Sequence, residues 1–109
     1  MEENNEADFY NNRGNEKYFL EDYKSAIQDC NKATELNPNY AGAYKLRGMA
    51  NRKLKNDKDA INDYCKAIEL NSNDPQTFIF RGDAKIALGD IDGGCLDLDK
   101  AGELCSALA

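Results

Sequence analysis

The sequence predicts an all-α fold, a stack of three antiparallel helix pairs. The first observation behind this is a repeat. Arg13-Gly14, Ala26-Ile27, Asp29, Lys32-Ala33 and Glu35-Leu36 return 34 residues later as Arg47-Gly48, Ala60-Ile61, Asp63, Lys66-Ala67 and Glu69-Leu70. They return again, at the same offset, as Arg81-Gly82, Gly94-Cys95, Asp97, Lys100-Ala101 and Glu103-Leu104. A period of this size marks a helical unit that buries its apolar face only by stacking on its neighbours. The second observation is apolar spacing at i, i+4 and i+7 within each unit, the signature of one buried helix face. The third is composition. Two prolines and eight glycines in 109 residues leave room for long helices, and 41% hydrophobic with 31% charged residues fits a folded helical chain.

Taken in order, residues 1–6 are acidic and polar and read as a disordered arm. The first unit spans residues 7–40. Tyr10, Gly14 and Tyr18 recur at helical spacing, Leu20-Glu21-Asp22 breaks the pattern, and Ala26, Ile27, Cys30, Ala33 and Leu36 form a second stripe. Asn37-Pro38-Asn39 ends it, because proline cannot continue the ladder. The second unit spans residues 41–74, with Tyr44, Gly48 and Leu54 on its first helix and Asp57 as the expected cap of the next. Ala60, Ile61, Tyr64, Ala67, Ile68 and Leu70 form its second stripe. The third unit spans residues 75–108. Asp74 caps its first helix with Pro75 at the first helical position. Gly89 supplies a left-handed stop and Asp90 the next cap. Gly93-Gly94 makes the last helix the expected weak element, at about 1 kcal/mol per glycine relative to alanine.

The recurring residues have physical roles. Gly14, Gly48 and Gly82 lie mid-helix, opposite Ala26, Ala60 and Gly94, so each pair of helices approaches closely, near about 8 Å. Ala33, Ala67 and Ala101 do the same between units. Each arginine travels with an aspartate, which predicts three helix-to-helix ion pairs, Arg13–Asp29, Arg47–Asp63 and Arg81–Asp97.

Several functions are excluded on chemistry. Net charge is −6, which repels a nucleic-acid backbone, and the cluster Arg52-Lys53-Leu54-Lys55 reads as a solvated helix end. No run is long and apolar enough to span a membrane. The chain has no histidine for general-base work, no glycine-rich phosphate loop after a strand, and no metal-ligand spacing, so neither catalysis nor a cofactor is expected. Cys30, Cys65, Cys95 and Cys105 form no C-x-x-C pair and are expected to pack as small apolar groups. Reduced thiols suit a reducing compartment, so the expected location is cytoplasmic.

The pattern resembles the tetratricopeptide repeat over nearly the whole chain, in an Arg-Gly variety with arginine before the mid-helix glycine. The family's later proline is Pro38, replaced by Ser72 and Ser106 in the other units. The resemblance implies a right-handed superhelix whose first helices line a concave groove for a peptide or extended protein segment. The groove residues it implies are Asn11, Asn15 and Tyr18, then Lys45, Leu46, Met49 and Arg52, then Ile79, Phe80 and Asp83. Leu46, Met49, Ile79 and Phe80 make the expected apolar patch, and Lys45 and Arg52 the expected carboxylate receivers. Family members that clamp chaperone tails use a Lys and two Asn, then a Lys and an Arg. The matching residues here are Asn11, Asn15, Leu46, Gln76 and Phe80, of which only Asn15 agrees, so that clamp is not expected. The alternative is self-assembly through Leu98, Ala101 and Leu104, left partly exposed on the last helix.

Overall fold

The computed structural model describes residues 2–108, with side chains described over residues 5–104. Six helices follow in order: α1 (Glu2–Phe19), α2 (Tyr23–Leu36), α3 (Ala41–Lys53), α4 (Asp57–Leu70), α5 (Pro75–Ala87) and α6 (Ile91–Leu108). No strand occurs among the described residues. The fold is an all-α solenoid of three helix pairs. Helix α1 touches α3 and α3 touches α5, whereas α2 stays clear of α4 and α4 of α6 among the described residues. The first helices of the pairs therefore crowd together on the inner side and the second helices splay outward. That difference is the curvature that makes a groove.

Residues 2–6, read from the sequence as a disordered arm, are helical backbone at the start of α1. No proline or glycine stands there to break the ladder, and acidic residues are favoured at a helix N-terminus. The cap of α4 is Asn56, with Asp57 its first helical residue, so the expected cap is off by one position. Asp74 and Asp90 cap as expected, accepting from the Gln76 and Gly93 amides, each at 3.0 Å.

All three pairs turn in one way. In the first, the Glu21 amide donates to Tyr18 O at 2.9 Å and the Asp22 amide to Lys17 O at 2.9 Å. The same two bonds recur from Lys55 and Asn56, and from Gly89 and Asp90. This is the Schellman closure, and its central residue is left-handed: φ is 65° at Glu21, 64° at Lys55 and 93° at Gly89. Only the third turn has the residue that adopts this conformation without a Cβ penalty. Glu21→Gly is therefore expected to stabilise the chain by about 1 kcal/mol, read as a rise of a few degrees in melting temperature.

Close approach decides the core. A Cβ on Gly48 would lie 2.6 Å from Tyr64 Cε1, and one on Gly82 would lie 2.9 Å from the Gly94 carbonyl oxygen. Tyr64, Ala60 and Ala84 form the packed centre between the second and third pairs, with Met49, Ile61 and Phe80 against it. Cys30 is buried, and burial pushes its thiol up to about 12. Cys65 and Cys95 are exposed, contrary to the expectation of packed thiols, because each stands beside the buried stripe and not on it. The expectation for Cys105 lies outside the described side chains.

The three ion pairs are present. Asp29 accepts from Arg13 Nε at 3.1 Å and Nη2 at 2.8 Å. Asp63 accepts from Arg47 Nε at 3.0 Å and Nη2 at 2.7 Å, and Asp97 from Arg81 Nε at 2.8 Å and Nη2 at 2.7 Å. Each guanidinium also lies over a ring of its own helix: Arg13 over Tyr10, Arg47 over Tyr44 and Arg81 over Phe78. Burial opposes ionisation of Asp29 and Asp97. Hydrogen bonds from Arg13 and Lys17, and from Arg81 and Lys85, outweigh it and hold both carboxyls below their ordinary value of 3.8. A lowered folded value means that the ionised form favours the fold. This stability is complete above the unfolded value and is lost as pH falls through the folded one. Melting temperature is therefore expected to hold steady down to about pH 4.5 and to fall steeply below about pH 3.5. A melt flat down to about pH 2 would show that the pairs carry no stability.

Candidate functional site

Helices α1, α3 and α5 present the inner surface, and two hollows open along it. The first, about 270 Å³, is lined by Asn11, Asn15, Gly42, Lys45, Leu46, Met49 and Gln76. The second, about 400 Å³, is lined by Arg52, Lys53, Lys55, Tyr64, Phe80 and Asp83. Of the groove residues expected from the sequence, the structure gathers Asn11, Asn15, Lys45, Leu46 and Met49 around the first hollow. It gathers Arg52, Phe80 and Asp83 around the second. Tyr18 lines neither and packs edge-on to Tyr23, with ring centroids 5.4 Å apart. Ile79 also lines neither, and is 37% exposed beside them.

Three expectations need correction. Leu46 is 3% exposed and belongs to the core. Its Cδ2 lies 3.2 Å from where a Gly14 Cβ would stand, so it fills the space that glycine leaves on α1. Lys45 is not free to receive a carboxylate. Its Nζ donates to Asp74 Oδ2 at 2.8 Å and Gln76 Oε1 at 2.6 Å, and lies 5.7 Å from the Phe80 ring centroid. Burial opposes ionisation of Asp74, but Lys45 and Thr77 hold its carboxyl below the ordinary value. Ala101, expected to be partly exposed, is 3% exposed and belongs to the core. Arg52 Nη1 lies 3.1 Å from Asp57 Oδ1, across the turn between α3 and α4, and so is partly committed as well.

The sequence reading missed Tyr64, Lys53 and Lys55 as groove residues. Tyr64 was absorbed into an apolar stripe, and the two lysines into a solvated helix end. A signal was there: a tyrosine stands where the first unit has Cys30 and the third has Leu98. Among the described residues no three His, Cys, Asp or Glu side chains gather as a metal-ligating cluster, and no helix is long and apolar enough to cross a membrane.

This geometry, paired helices with an inner concave face of first helices, defines a helical-repeat solenoid. Family comparison is specific: residues 7–40 and 41–74, more than half of the chain, each match the tetratricopeptide repeat. The chain belongs to the tetratricopeptide repeat family. Among solved structures, it is similar to MamA, with 25% identity and a TM-score of 0.89 over 93% of this chain and 59% of that one. The chain thus spans about three fifths of MamA's length. The second TPR of Spaghetti (RPAP3), bound to the HSP90 peptide SRMEEVD, is 25% identical with a TM-score of 0.89, covering 91% of this chain and 92% of that one. The TPR2B domain of yeast Sti1, in a pHsp70 complex, is 27% identical with a TM-score of 0.88, covering 91% of this chain and 79% of that one. Comparison with curated proteins returns no match.

Proposed function

We propose that this chain is a non-enzymatic interaction module of the cytoplasm that holds a peptide or extended protein segment in its concave groove. The observation that carries this is the pair of hollows on the inner helices, lined in part by half-buried Met49 and Phe80. Apolar side chains left open on a concave face are what a peptide ligand covers. The peptide-bound Spaghetti and Sti1 domains support the same use of the fold. The tail clamp of such domains is not expected here, since Leu46, Gln76 and Phe80 supply no cation. We also read α5–α6 as a third repeat of the Arg-Gly variety, because Arg81–Asp97 reproduces the geometry of the first two pairs.

Affinity capture from extract of the source cell, read by mass spectrometry, tests this. Met49→Gln with Ile79→Gln is expected to cut partner recovery on the order of ten-fold with helical circular dichroism unchanged. Recovery unaffected by the pair would move the site off the groove. Ile79 is chosen over Phe80 because Phe80 also braces Tyr64, at 6.0 Å between centroids.

A second reading, self-assembly, rests on a specific register. Arg47 Nη1 donates to Asn31 Oδ1 at 2.8 Å and Arg81 Nη1 contacts Cys65 Sγ at 3.5 Å, each reaching the preceding unit. Arg13 reaches no such acceptor among the described residues, and the position of Asn31 and Cys65 is held in the third unit by exposed Asp99. Leu98 is 37% exposed where Cys30 and Tyr64 are covered. A second copy stacked on α6 would pair Arg13 with Asp99 and cover Leu98. Glu16 stands where Ala50 and Ala84 are buried, so such stacking is weak. Sedimentation separates the readings: mass that rises with concentration and is reset by Asp99→Lys supports stacking, and a strict monomer removes it.

A further inference from the structure

We propose that the first hollow, where α1 faces α3, receives the ammonium group of a lysine on the partner segment. This rests on the groove reading and names the chemistry of the partner. Asn11 is 9% exposed and lines the hollow, yet its Oδ1 is buried and has no hydrogen-bond partner. A buried acceptor left unpaired is destabilising, and such atoms are rare in folded chains. The other end of the amide fixes which way it points. Tyr40 donates its hydroxyl to Asp8 Oδ1 at 2.5 Å, and the Asn11 amide lies against the same hydroxyl. Burial and the bond to Asp8 push the Tyr40 phenol up to about 12. The proton therefore stays on the tyrosine and goes to Asp8, so the hydroxyl oxygen can only accept from Asn11 Nδ2. Asn11 Oδ1 turns away from Tyr40 and needs a donor from elsewhere.

Other donors around the hollow are committed. Asn15 donates through Nδ2 to Asn11 O at 3.2 Å, which leaves its own side-chain oxygen to accept. Lys45 Nζ donates to Asp74 and Gln76. An incoming carboxylate finds only the neutral amide nitrogen of exposed Gln76. An incoming ammonium finds two amide oxygens, and a charged donor makes the stronger bond. The nearby charge agrees: Asp8 and Asp74 outnumber Lys45, on a chain of net charge −6. Half-buried Met49 supplies an apolar wall for the lysine stem.

Gly42 is a second, independent mark. It stands in the first turn of α3 with an ordinary backbone, where alanine would hold the helix better. A Cβ there would lie 3.4 Å from Tyr40 Cε1 and 4.0 Å from Asn11 Nδ2, which is ordinary contact and no clash. The glycine thus meets no packing need, and it lines both this hollow and the one beside Asp8 and Tyr40. Its missing methyl keeps the way to Asn11 open. The donor then reaches Oδ1 through a small turn of the amide, whose last torsion is soft.

The test uses the full chain and fluorescence anisotropy. The probe is acetyl-Gly-Ser-Ala-Lys-Leu-Ala-Ser-Gly with a fluorophore at its C-terminus, so that lysine carries its one ammonium. Its counterparts replace that Lys by norleucine, which keeps the stem without the charge, or by Glu. The Lys peptide is expected to bind on the order of ten-fold tighter than either. Asn11→Leu is expected to abolish the preference with the melting temperature unchanged or raised, because the orphan acceptor goes with the amide. Gly42→Ala is expected to weaken Lys-peptide binding several-fold, again with the melting temperature held or raised. Equal binding of the Lys and norleucine peptides overturns the proposal, as does tighter binding of the Glu peptide. Absence of binding by all three also overturns it. A lysine preference that survives Asn11→Leu overturns it too, leaving water as the partner of that oxygen. Binding lost on Met49→Gln with Ile79→Gln but indifferent to the Lys-to-norleucine exchange would leave the groove standing and the ammonium selection refuted.

Discussion

Asp63→Ala is expected to lower the stability of the chain by about 3–5 kcal/mol, a large share of the roughly 5–15 kcal/mol that a domain of this size possesses. Asp63 is the most connected carboxylate of the solenoid. It accepts from Arg47 Nε and Nη2 and from Asn51 Nδ2 at 3.3 Å, and is 7% exposed. Arg47 in turn donates to Asn31 on α2, so one carboxylate ties α3 to α4 and, through the arginine, to the preceding pair. Alanine leaves a largely buried guanidinium with only a neutral acceptor, and desolvation of an unpaired charge is the cost. Chemical denaturation measures it directly. The double variant Arg47→Met with Asp63→Leu is expected to recover most of the loss, because it removes both charges together. A single substitution costing under about 1 kcal/mol would mean that the pair is solvated and the register is held by the apolar seam alone.

How much of this was legible in the sequence follows from which features are periodic. The Arg–Asp pairs could be read because both residues return at one offset, so a contact between helices became visible as a recurring spacing. The glycines could be read for the same reason, and the carbonyl 2.9 Å from a Gly82 Cβ gives the physical cause. The groove could be read only as a surface. Lys45 occupies a position held by Asn11 and Ile79 in the other units, so its bond to Asp74 belongs to one unit and leaves no periodic trace. Tyr64 was hidden by the opposite effect: its place in an apolar stripe is periodic, while its size is particular to the second unit, where the others carry Cys30 and Leu98. The off-by-one at Asn56 and Asp57 is a helix end, where either residue type can cap.

Leu46→Ala is expected to cost about 3 kcal/mol, the value for emptying a buried leucine site whose surroundings relax only in part. Leu46 and Lys45 are consecutive on α3 and diverge by one helical step, about 100° around the axis. That step takes Leu46 from the groove rim to the seam with α1, where Gly14 makes room for it. The same truncation at Ile79, 37% exposed, is expected to cost under about 1 kcal/mol. The contrast is the decisive measurement, because both residues are apolar and both belong to the inner helices. Substitution at Leu46 should shift the denaturation midpoint and weaken partner capture only as far as the fold is lost. Substitution at Ile79 should weaken capture with the midpoint held. If Leu46→Ala instead left the midpoint in place while abolishing capture, Leu46 would be a ligand contact, and α1 and α3 would be held together without it.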